Sequence, residues 1–496
     1  MMKQHLFQVC LVFMVLLGLT LEATAGVATV VPFIRIKPQD DKTELVFDLK
    51  GQPTDIQVDQ KDPKKISVQF TGALAGILSS HSLAIPDQKV AKSVYVEQKD
   101  NKVQLFIQRD KKTSISVYAL QSPDRLVISV NEFQDNTASA HIAPGVIHRR
   151  IVSQSGHGPL NINIIDVDLS NPLISIEPVL ATNEMHGKAR VSRLVNLYNA
   201  VAGINASFFK PDVGTALGTL ILNRELIAGP LYNRVCLGIT PDKKIEMARI
   251  QLEGKLMTAG GNTVRIQNVN QPRLNKQEVI LYSSRWGIWA PPTPRDGVSV
   301  QIDQNRITQV TTNHLSIPPS GYVLTGPKDL LETMLRPNDV VTTEVSTLPD
   351  WANVAYAVSG GPYLVKDGEI FVDLKQQVFR PGAFTEPAPR TAVGVTADNH
   401  LLMVTVDGRN KNVSVGMTLT EMAHLMKSLG AQEAMNFDGG SSTQMVVKNH
   451  VVNDPTVAGG APVASALLIR ELPVPLTHEV IGVESDAANG PHAGHL

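Results

Sequence analysis

The first quarter of the chain alternates apolar and polar residues in short runs. The segments TELVFDL, KISVQF, KSVYVEQ, KVQLFIQ and RLVISV carry this pattern, and turn-prone pieces such as DPKK and SPD separate them. A period of two places the apolar side chains on one face of a strand. The pattern predicts a small all-β sandwich over residues 27–133.

The periodicity changes after a polar, small-residue stretch, QDNTASAHIAPG, which predicts a linker at residues 134–145. Apolar residues then recur at helical spacing within ARVSRLVNLY, and VAGINASFF follows as a buried strand. Most of residues 235–355 is typical of strands, with KDLLETML as a further helix. Residues 146–472 are therefore predicted to form an α+β domain with a mixed sheet.

One helix is strongly signalled within VGMTLTEMAHLMKSLG. Thr418 and Glu421 have the spacing of a capping box, and Gly430 supplies a C-terminal stop. The apolar face consists of Leu419, Met422, Leu425, Met426 and Leu429. The strand EAMNF follows and would place Asp438 at its carboxyl end.

The N-terminus has the pattern of an export signal. Lys3 precedes the apolar run of residues 6–19, and Ala23-Thr24-Ala25 fits a cleavage site. We expect a signal peptide at residues 1–25, with an uncleaved anchor as the alternative, and thus a secreted or periplasmic protein. Residues 473–496 are predicted to be a disordered tail.

Composition narrows the classes of function. The formal net charge is -1, which argues against nucleic acid as a partner because such proteins carry a basic surface. With Cys10 in the signal, Cys236 is the one cysteine of the mature chain and is expected to be a small buried hydrophobe. The sequence has no strong metal motif, and no cofactor is predicted.

The stretch MNFDGGSSTQM places four very small residues directly after an acid. Gly439 and Gly440 permit backbone conformations closed to other residues, and successive N–H groups there could form a nest for an anion. Ser441 and Ser442 add hydroxyl donors. An ordinary hairpin turn is the alternative, since Asp-Gly is also a common hairpin signal.

Polar residues also mark the ends of several other predicted strands. Asp407 ends an apolar strand and is followed by Gly408 and Arg409. Gly360 and Gly361 follow a second strand; two further strands are marked by Arg390 at one start and Asn205 at one end. We expect these strand ends to converge on one pocket.

Taken together, these pieces resemble the phosphodiester glycosidase family, which includes the uncovering enzyme. The resemblance rests on GINASFF, VSGGPYLVKDG, PRTAVGVT, VTVDGR, GMTLTEMAHLMKSLGAQEAMNFDGGSSTQM and PVASALLI. The N-terminal part resembles the AMIN domain of bacterial envelope proteins, through IRIKPQDDKTELVFDLKG, QKDPKKISVQFTGA and SPDRLVISV. That second resemblance implies attachment to the cell wall or localisation within the cell envelope, with a β spacer that binds no ligand as the alternative.

The family resemblance implies hydrolysis of the C–O bond between a sugar and a phosphodiester in an envelope or exopolysaccharide glycan. Asp438, Asp407 and Arg390 are the implied catalytic residues, the two acids serving to activate water and stabilise the sugar cation. The implied substrate-binding residues are Asn205, Gly360, Gly361, Arg409, Asn436, Gly439, Gly440, Ser441 and Ser442. Ser207, close to Asn205 in sequence, is a further substrate-binding candidate because its hydroxyl could bind the sugar.

Three alternatives remain open. Ala461 and Ser465 stand where many relatives have Arg and Asn, which favours a non-catalytic polysaccharide-binding protein on a degenerate glycosidase fold. Asp407 and Asp438 could instead hold a divalent cation. A metal phosphodiesterase would cut the P–O bond rather than the C–O bond.

Overall fold

The computed structural model describes residues 29–473 apart from 39–41, 60–61, 63, 75–79, 86–89, 110–112, 121–122, 133–134, 156, 294 and 380–383. The predicted signal peptide and residues 474–496 of the predicted tail lie outside the described residues. Among the helices within them, none has the length and apolar character needed to cross a membrane.

Short strands build the N-terminal part. Their bounds are β1 Thr29–Pro38, β2 Lys42–Lys50, β3 Thr54–Asp59, β4 Lys65–Leu74, β5 Ser80–Ala84, β6 Ser93–Lys99, β7 Lys102–Gln108, β8 Thr113–Leu120 and β9 Arg125–Glu132.

These strands form two antiparallel halves around one apolar core. One half has the order β8-β9-β2-β1 and the other the order β4-β7-β6-β5, with β3 also paired to β4. Parallel pairing of β1 with β4 joins the halves. Phe47 and Phe70 meet edge to face at 6.5 Å between ring centroids, and both are fully buried. The prediction of an N-terminal β domain is confirmed.

The remaining strands in chain order are β10 Asn136–Ala143, β11 Val146–Ser155, β12 Gly158–Asp168, β13 Ile174–Leu180, β14 Ala202–Asn205, β15 Phe209–Lys210, β16 Thr215–Ala216, β17 Leu220–Leu222, β18 Glu225–Ala228, β19 Val235–Ile239, β20 Ile245–Arg249, β21 Gln251–Thr258, β22 Thr263–Ile266, β23 Asn268–Val269, β24 Ile280–Ser283, β25 Gly297–Asp303, β26 Arg306–Thr311, β27 Gly321–Pro327, β28 Val341–Leu348, β29 Tyr356–Ser359, β30 Tyr363–Lys366, β31 Glu369–Ile370, β32 Arg390–Thr396, β33 His400–Val406, β34 Ala431–Asn436, β35 Met445–Val447, β36 His450–Val451 and β37 Ser465–Glu471. The helices are α1 Val191–Leu197, α2 Lys328–Met334 and α3 Leu419–Ser428, with a short 3-10 turn at Gly440–Ser442.

The α+β class is confirmed, but the largest sheet of this part is not mixed. Its order is β10-β11-β12-β33-β32-β34-β30-β31, and each neighbouring pair runs antiparallel. Mixed pairing occurs instead in the smaller sheet β23-β24-β27-β25-β26, where β23 runs parallel to β24. The sequence pattern does not distinguish parallel from antiparallel pairing, because strands of both kinds appear as short apolar runs.

Much of the predicted linker is a strand. Residues 136–143 form β10, which pairs with β11 and so extends the eight-stranded sheet. Six of its eight residues are exposed, as expected of an edge strand, and that exposure explains the polar, small-residue composition.

Helix α3 forms as its sequence predicts and leads the chain to Asp438. The Thr418 side chain accepts from the Glu421 N–H, and the Glu421 carboxylate accepts from the Thr418 N–H at 2.8 Å. Gly430, with φ of +94°, ends the helix in a conformation that suits glycine. The buried residues of α3 are Leu419, Met422, Ala423 and Met426. The helix contacts β30 and β34, so it fixes the strand that ends just before Asp438.

Candidate functional site

A cleft of about 340 Å³ brings together three distant segments of the chain. It is lined by Phe384, Glu386, Ala388, Arg390, Arg409, Asp438, Gly439 and Gly440. The cleft therefore combines two carboxylates and two guanidinium groups. Such a combination can bind an anionic ester and act on the bond beside it.

Asp438 is held at the cleft through its backbone. Its N–H donates to the Ala206 carbonyl at 3.0 Å, and its own carbonyl accepts from Asn205 Nδ2 at 2.6 Å. Burial raises the pKa of the Asp438 carboxyl to about 6, although hydrogen bonds from Ser442 and from the Gly439 N–H, and the positive charge of Arg234, oppose the rise. A carboxyl with this pKa can exchange protons near neutral pH.

Arg390 is a buried arginine whose guanidinium donates to backbone carbonyls. Nε donates to the Met417 carbonyl at 2.7 Å, and Nη2 donates to the Glu386 carbonyl at 2.9 Å. The guanidinium lies 5.2 Å from the centroid of the Phe384 ring. Burial and the nearby Arg409 charge lower the pKa of Arg390 to about 10, so it remains a cation at neutral pH.

Arg409 is exposed and leaves the strand end with φ of +65°. Within the described part of the chain, its guanidinium has no hydrogen-bond or ion-pair partner. A Cβ on Gly440 would lie 3.2 Å from Arg409 Nη2, so the glycine leaves space for this side chain. The arrangement leaves the donors of Arg409 available to a ligand.

Asp407 does not line the cleft, contrary to the expectation that it would face Asp438. Its side chain is 2% exposed, and its oxygens accept hydrogen bonds from inside the domain. The donors are Asn161 Nδ2 at 2.5 Å, Asn453 Nδ2 at 2.8 Å and the Asp454 N–H at 2.9 Å. Burial raises the pKa of Asp407. Its position ties β33 to β12 and to the turn after β36.

Asn205 and Ser207 are also directed into the domain. Asn205 is 1% exposed, and its Oδ1 accepts from Thr391 Oγ1 at 2.8 Å and from the Gln444 N–H at 3.0 Å. The Ser207 hydroxyl shares a hydrogen bond of 2.6 Å with the Ser465 hydroxyl. Neither residue lines the cleft, but Asn205 supports it by holding the Asp438 carbonyl.

Two glycines and an asparagine that were expected to bind substrate serve the backbone instead. A Cβ on Gly360 would lie 2.6 Å from the Asn436 carbonyl oxygen. Gly361 has φ of +105° and donates its N–H to that same oxygen at 2.6 Å. Asn436 is 1% exposed and donates to the Gly361 carbonyl at 3.2 Å. This close packing aligns β34 with the preceding loop.

Three of the four N–H groups of the expected anion nest donate within the chain. The Gly439 N–H donates to Asp438 Oδ1 at 3.0 Å, and the Gly440 N–H donates to the Pro389 carbonyl at 2.9 Å. The Ser442 N–H donates to the Gly439 carbonyl at 3.2 Å. The side chain of Ser441 is exposed, while Ser442 is 6% exposed. The turn thus shapes Asp438 rather than presenting a row of free amides.

Sequence reasoning missed Arg234 and Glu386. Arg234 lies in the electrostatic field of Asp438 and stacks on Phe208 and Phe379, at 4.5 and 4.3 Å from their ring centroids. Burial lowers the pKa of Arg234 to about 10, and its Nε is buried without a hydrogen-bond partner among the described residues. Glu386 lines the cleft beside Arg390. No motif surrounds either residue, although an arginine next to a strand start could have been weighed.

No three His, Cys, Asp or Glu side chains of the described ranges are grouped so that they could hold a metal ion. Cys236 is fully buried, and burial raises the pKa of its thiol to about 11, as expected of a small hydrophobic residue.

Comparisons with known proteins give two family matches. Residues 296–470 match the phosphodiester glycosidase family, and residues 33–133 match the AMIN domain. Arg390, Arg409 and Asp438 fall within the first match, whereas Arg234 lies before it.

Two solved structures share the fold at low sequence identity. A hypothetical protein from Synechocystis is 19% identical with a TM-score of 0.63, over 89% of this chain and 80% of that one. A Burkholderia pseudomallei K96243 protein, whose name suggests that it is exported, is 19% identical with a TM-score of 0.55. The likeness covers 89% of this chain and 98% of that one.

A curated relative is similar over a short region. The SPbeta prophage-derived uncharacterized protein YomE of Bacillus subtilis (strain 168) is 39% identical over 66 residues. That region covers 13% of this chain and 10% of the relative, so the chain matches about a tenth of this relative's length.

Proposed function

We propose that the chain, which matches the phosphodiester glycosidase family over residues 296–470 and the AMIN domain over residues 33–133, is an exported hydrolase of sugar-1-phosphodiesters. The bond broken would join the anomeric carbon of a sugar to a phosphodiester oxygen. The proposed substrate belongs to a cell-envelope or exopolysaccharide glycan.

The observation that carries the proposal is the pairing of Asp438 with two guanidinium groups in one cleft. A phosphodiester is already a good leaving group, so the site needs charge stabilisation more than a strong acid. Arg409 would bind the phosphate oxygens with free donors, and the carbonyl-anchored Arg390 would supply a fixed positive charge. Both charges act where negative charge develops as the C–O bond breaks.

Asp438 is the proposed carboxylate of the reaction. With a pKa of about 6, it is mostly ionised at neutral pH and can take a proton from the attacking water. Its negative charge would also stabilise the oxocarbenium-like sugar. Asp438 lines the same cleft as the two guanidinium groups, which suits this role because the anomeric carbon is bonded to an oxygen of the phosphodiester.

Glu386 replaces Asp407 as the proposed second carboxylate. Glu386 lines the cleft and is exposed, whereas the oxygens of Asp407 are occupied by three donors. The role proposed for Asp407 is structural. Arg234 is proposed to act through Asp438, by keeping its pKa from rising further.

The AMIN domain supports the proposed location. Its resemblance to envelope proteins favours a periplasmic or secreted protein, with the N-terminal domain contacting the cell wall. The proposed division of work places attachment in residues 33–133 and hydrolysis in the later domain.

The test is a screen of purified protein against sugar-1-phosphodiesters, beginning with UDP-sugars, in water labelled with heavy oxygen. Release of sugar with the label in the sugar is the expected result. Label in the phosphate product would indicate P–O cleavage and overturn the glycosidase assignment. Glycan binding without turnover on the whole screen would support the non-catalytic binding protein.

A further inference from the structure

A second cleft, of about 480 Å³, lies outside the site described above. It is lined by Lys188, Ala189, Arg190, Ser192, Arg193 and Pro462. We call it the basic cleft. Three of its six lining residues are cations, while the whole chain has a formal net charge of only -1. The positive charge is therefore a local feature.

None of the three cations has an ion-pair partner within the described ranges. Lys188 Nζ donates to the Pro211 carbonyl at 2.5 Å, and Arg190 Nε donates to the Gly460 carbonyl at 3.1 Å. Carbonyl oxygens orient these side chains without neutralising them. The nearby Asp212 carboxylate accepts from the Val213 N–H at 2.8 Å, within its own turn.

All three cationic side chains are exposed at the cleft. Like charges that share a cleft repel one another, and an anion in the cleft would relieve that repulsion. Arginine and lysine together suit phosphate oxygens, with arginine offering a planar fork and lysine a point charge. The chemistry of the cleft fits a phosphate or another multiply charged anion.

A short path through the chain connects the basic cleft to the catalytic candidate. Ser465 is three residues beyond Pro462, which corresponds to at most roughly 10 Å of extended chain. The Ser465 hydroxyl bonds to Ser207, and the carbonyl of the preceding Ala206 accepts from the Asp438 N–H. The two clefts thus border one structural unit.

We propose that the basic cleft binds a second anionic group of the substrate, so that the substrate is a polyanionic glycan with repeated phosphodiesters. The proposal rests on the proposed function for the identity of the substrate. One phosphodiester occupies the cleft at Asp438 while another, further along the same polymer, lies against Lys188, Arg190 and Arg193. The basic cleft makes no contact with the reacting atoms and determines which polymer is held.

The first experiment measures binding and does not depend on turnover. Tripolyphosphate is titrated calorimetrically at low salt into the full chain, the double variant Lys188→Gln/Arg193→Gln and the control Arg265→Gln. Arg265 is exposed on β22 and does not line the basic cleft, so this control also removes a surface arginine charge. We expect about tenfold weaker binding in the double variant alone. Equal affinities in the three proteins would overturn the proposal.

The second experiment separates the basic cleft from the chemistry. The same proteins are compared on an oligosaccharide with several phosphodiesters and on a substrate with one. We expect the double variant to raise KM about tenfold for the long substrate and to leave kcat and the short substrate unchanged. An equal change on both substrates would contradict a separate subsite. If no protein turns over any substrate, the proposed function fails, and the titration still decides whether the basic cleft binds anions.

Discussion

Asp407 and Asp438 follow apolar strands and precede glycines, yet their surroundings differ in what they offer a ligand. Asp407 is enclosed by two asparagine side chains and a backbone amide, and its oxygens are occupied. Asp438 lies in an open cleft with Arg390 and Arg409. The comparison teaches that an acid at a strand end can either fasten strands together or perform chemistry, depending on whether its donors come from the chain or from a ligand.

The largest expected effect is on the turnover of the Asp438→Asn variant. Asparagine keeps the size of the side chain but cannot accept a proton from water. We expect kcat to fall by about a thousandfold or more, as for loss of a general base or charge-stabilising group. The measurement is kcat on the best sugar-1-phosphodiester of the screen. A thermal midpoint close to that of the parent chain would show that the fold survives.

The counterpart is the Asp407→Asn variant, for which we expect a loss of stability. The new side-chain NH2 group would face N–H donors whose hydrogen bonds the Asp407 carboxylate now accepts. Asn161 cannot simply rotate, because its Oδ1 accepts from Arg150 Nε at 2.8 Å. We expect a loss of about 3 kcal/mol in the free energy of unfolding, from donors left buried without acceptors. Denaturant unfolding measures it, and an unchanged midpoint would remove the structural role of Asp407.

Replacement of Arg409 by glutamine tests the anionic half of the cleft. The exposed guanidinium has no partner to lose within the described residues, so the fold should be unaffected. We expect kcat/KM to fall roughly thirtyfold, the effect of losing one charge-assisted hydrogen bond to phosphate. Arg409→Lys, which keeps the charge, should recover part of the loss. Equal kcat/KM values for the parent chain and Arg409→Gln would show that Arg409 does not bind the phosphate.

The smallest expected effects concern how activity and stability depend on pH. The pKa of Asp438 is raised to about 6, so activity that needs its carboxylate should fall as pH decreases through about 6. The same shift means that the folded state binds this proton more readily than the unfolded state. The contribution of Asp438 to stability is therefore most favourable at low pH and is lost as pH rises through about 6.

Arg234→Gln refines the pH prediction. The Arg234 charge lowers the pKa of Asp438, so its removal should move the acid limb of the profile to higher pH. The pH dependence of kcat/KM measures the shift. An acid limb that stays in place or moves to lower pH would contradict the proposed effect of the Arg234 charge on the pKa of Asp438.

The local structure around Asp438 could be predicted from sequence because its signals are short range. The spacing of Thr418 and Glu421, with Gly430 at the far end, defines α3, and the strand β34 follows directly. Arg390 beside Asp438 was also expected from the convergence of strand ends. These features depend on neighbours within a few residues or on strands with clear apolar patterns.

The fate of Asp407 could not be predicted, because its partners are remote in sequence. Asn161 lies 246 residues before it and reaches it only because β12 pairs with β33. Arg234 is likewise brought to Asp438 by packing between Phe208 and Phe379, and no local spacing announces it. A strand-end acid therefore indicates a candidate, and only the tertiary contacts decide its role.

The most direct test of the account measures turnover per folded molecule for Asp438→Asn and Asp407→Asn in one assay, on the substrate that the parent chain hydrolyses best. The concentration of folded protein is fixed for each variant by its unfolding curve. We predict near-parental turnover for folded Asp407→Asn and a loss of about a thousandfold for Asp438→Asn. The reverse order, or equal losses in the two folded variants, would contradict the claim that the chemistry belongs to the cleft at Asp438.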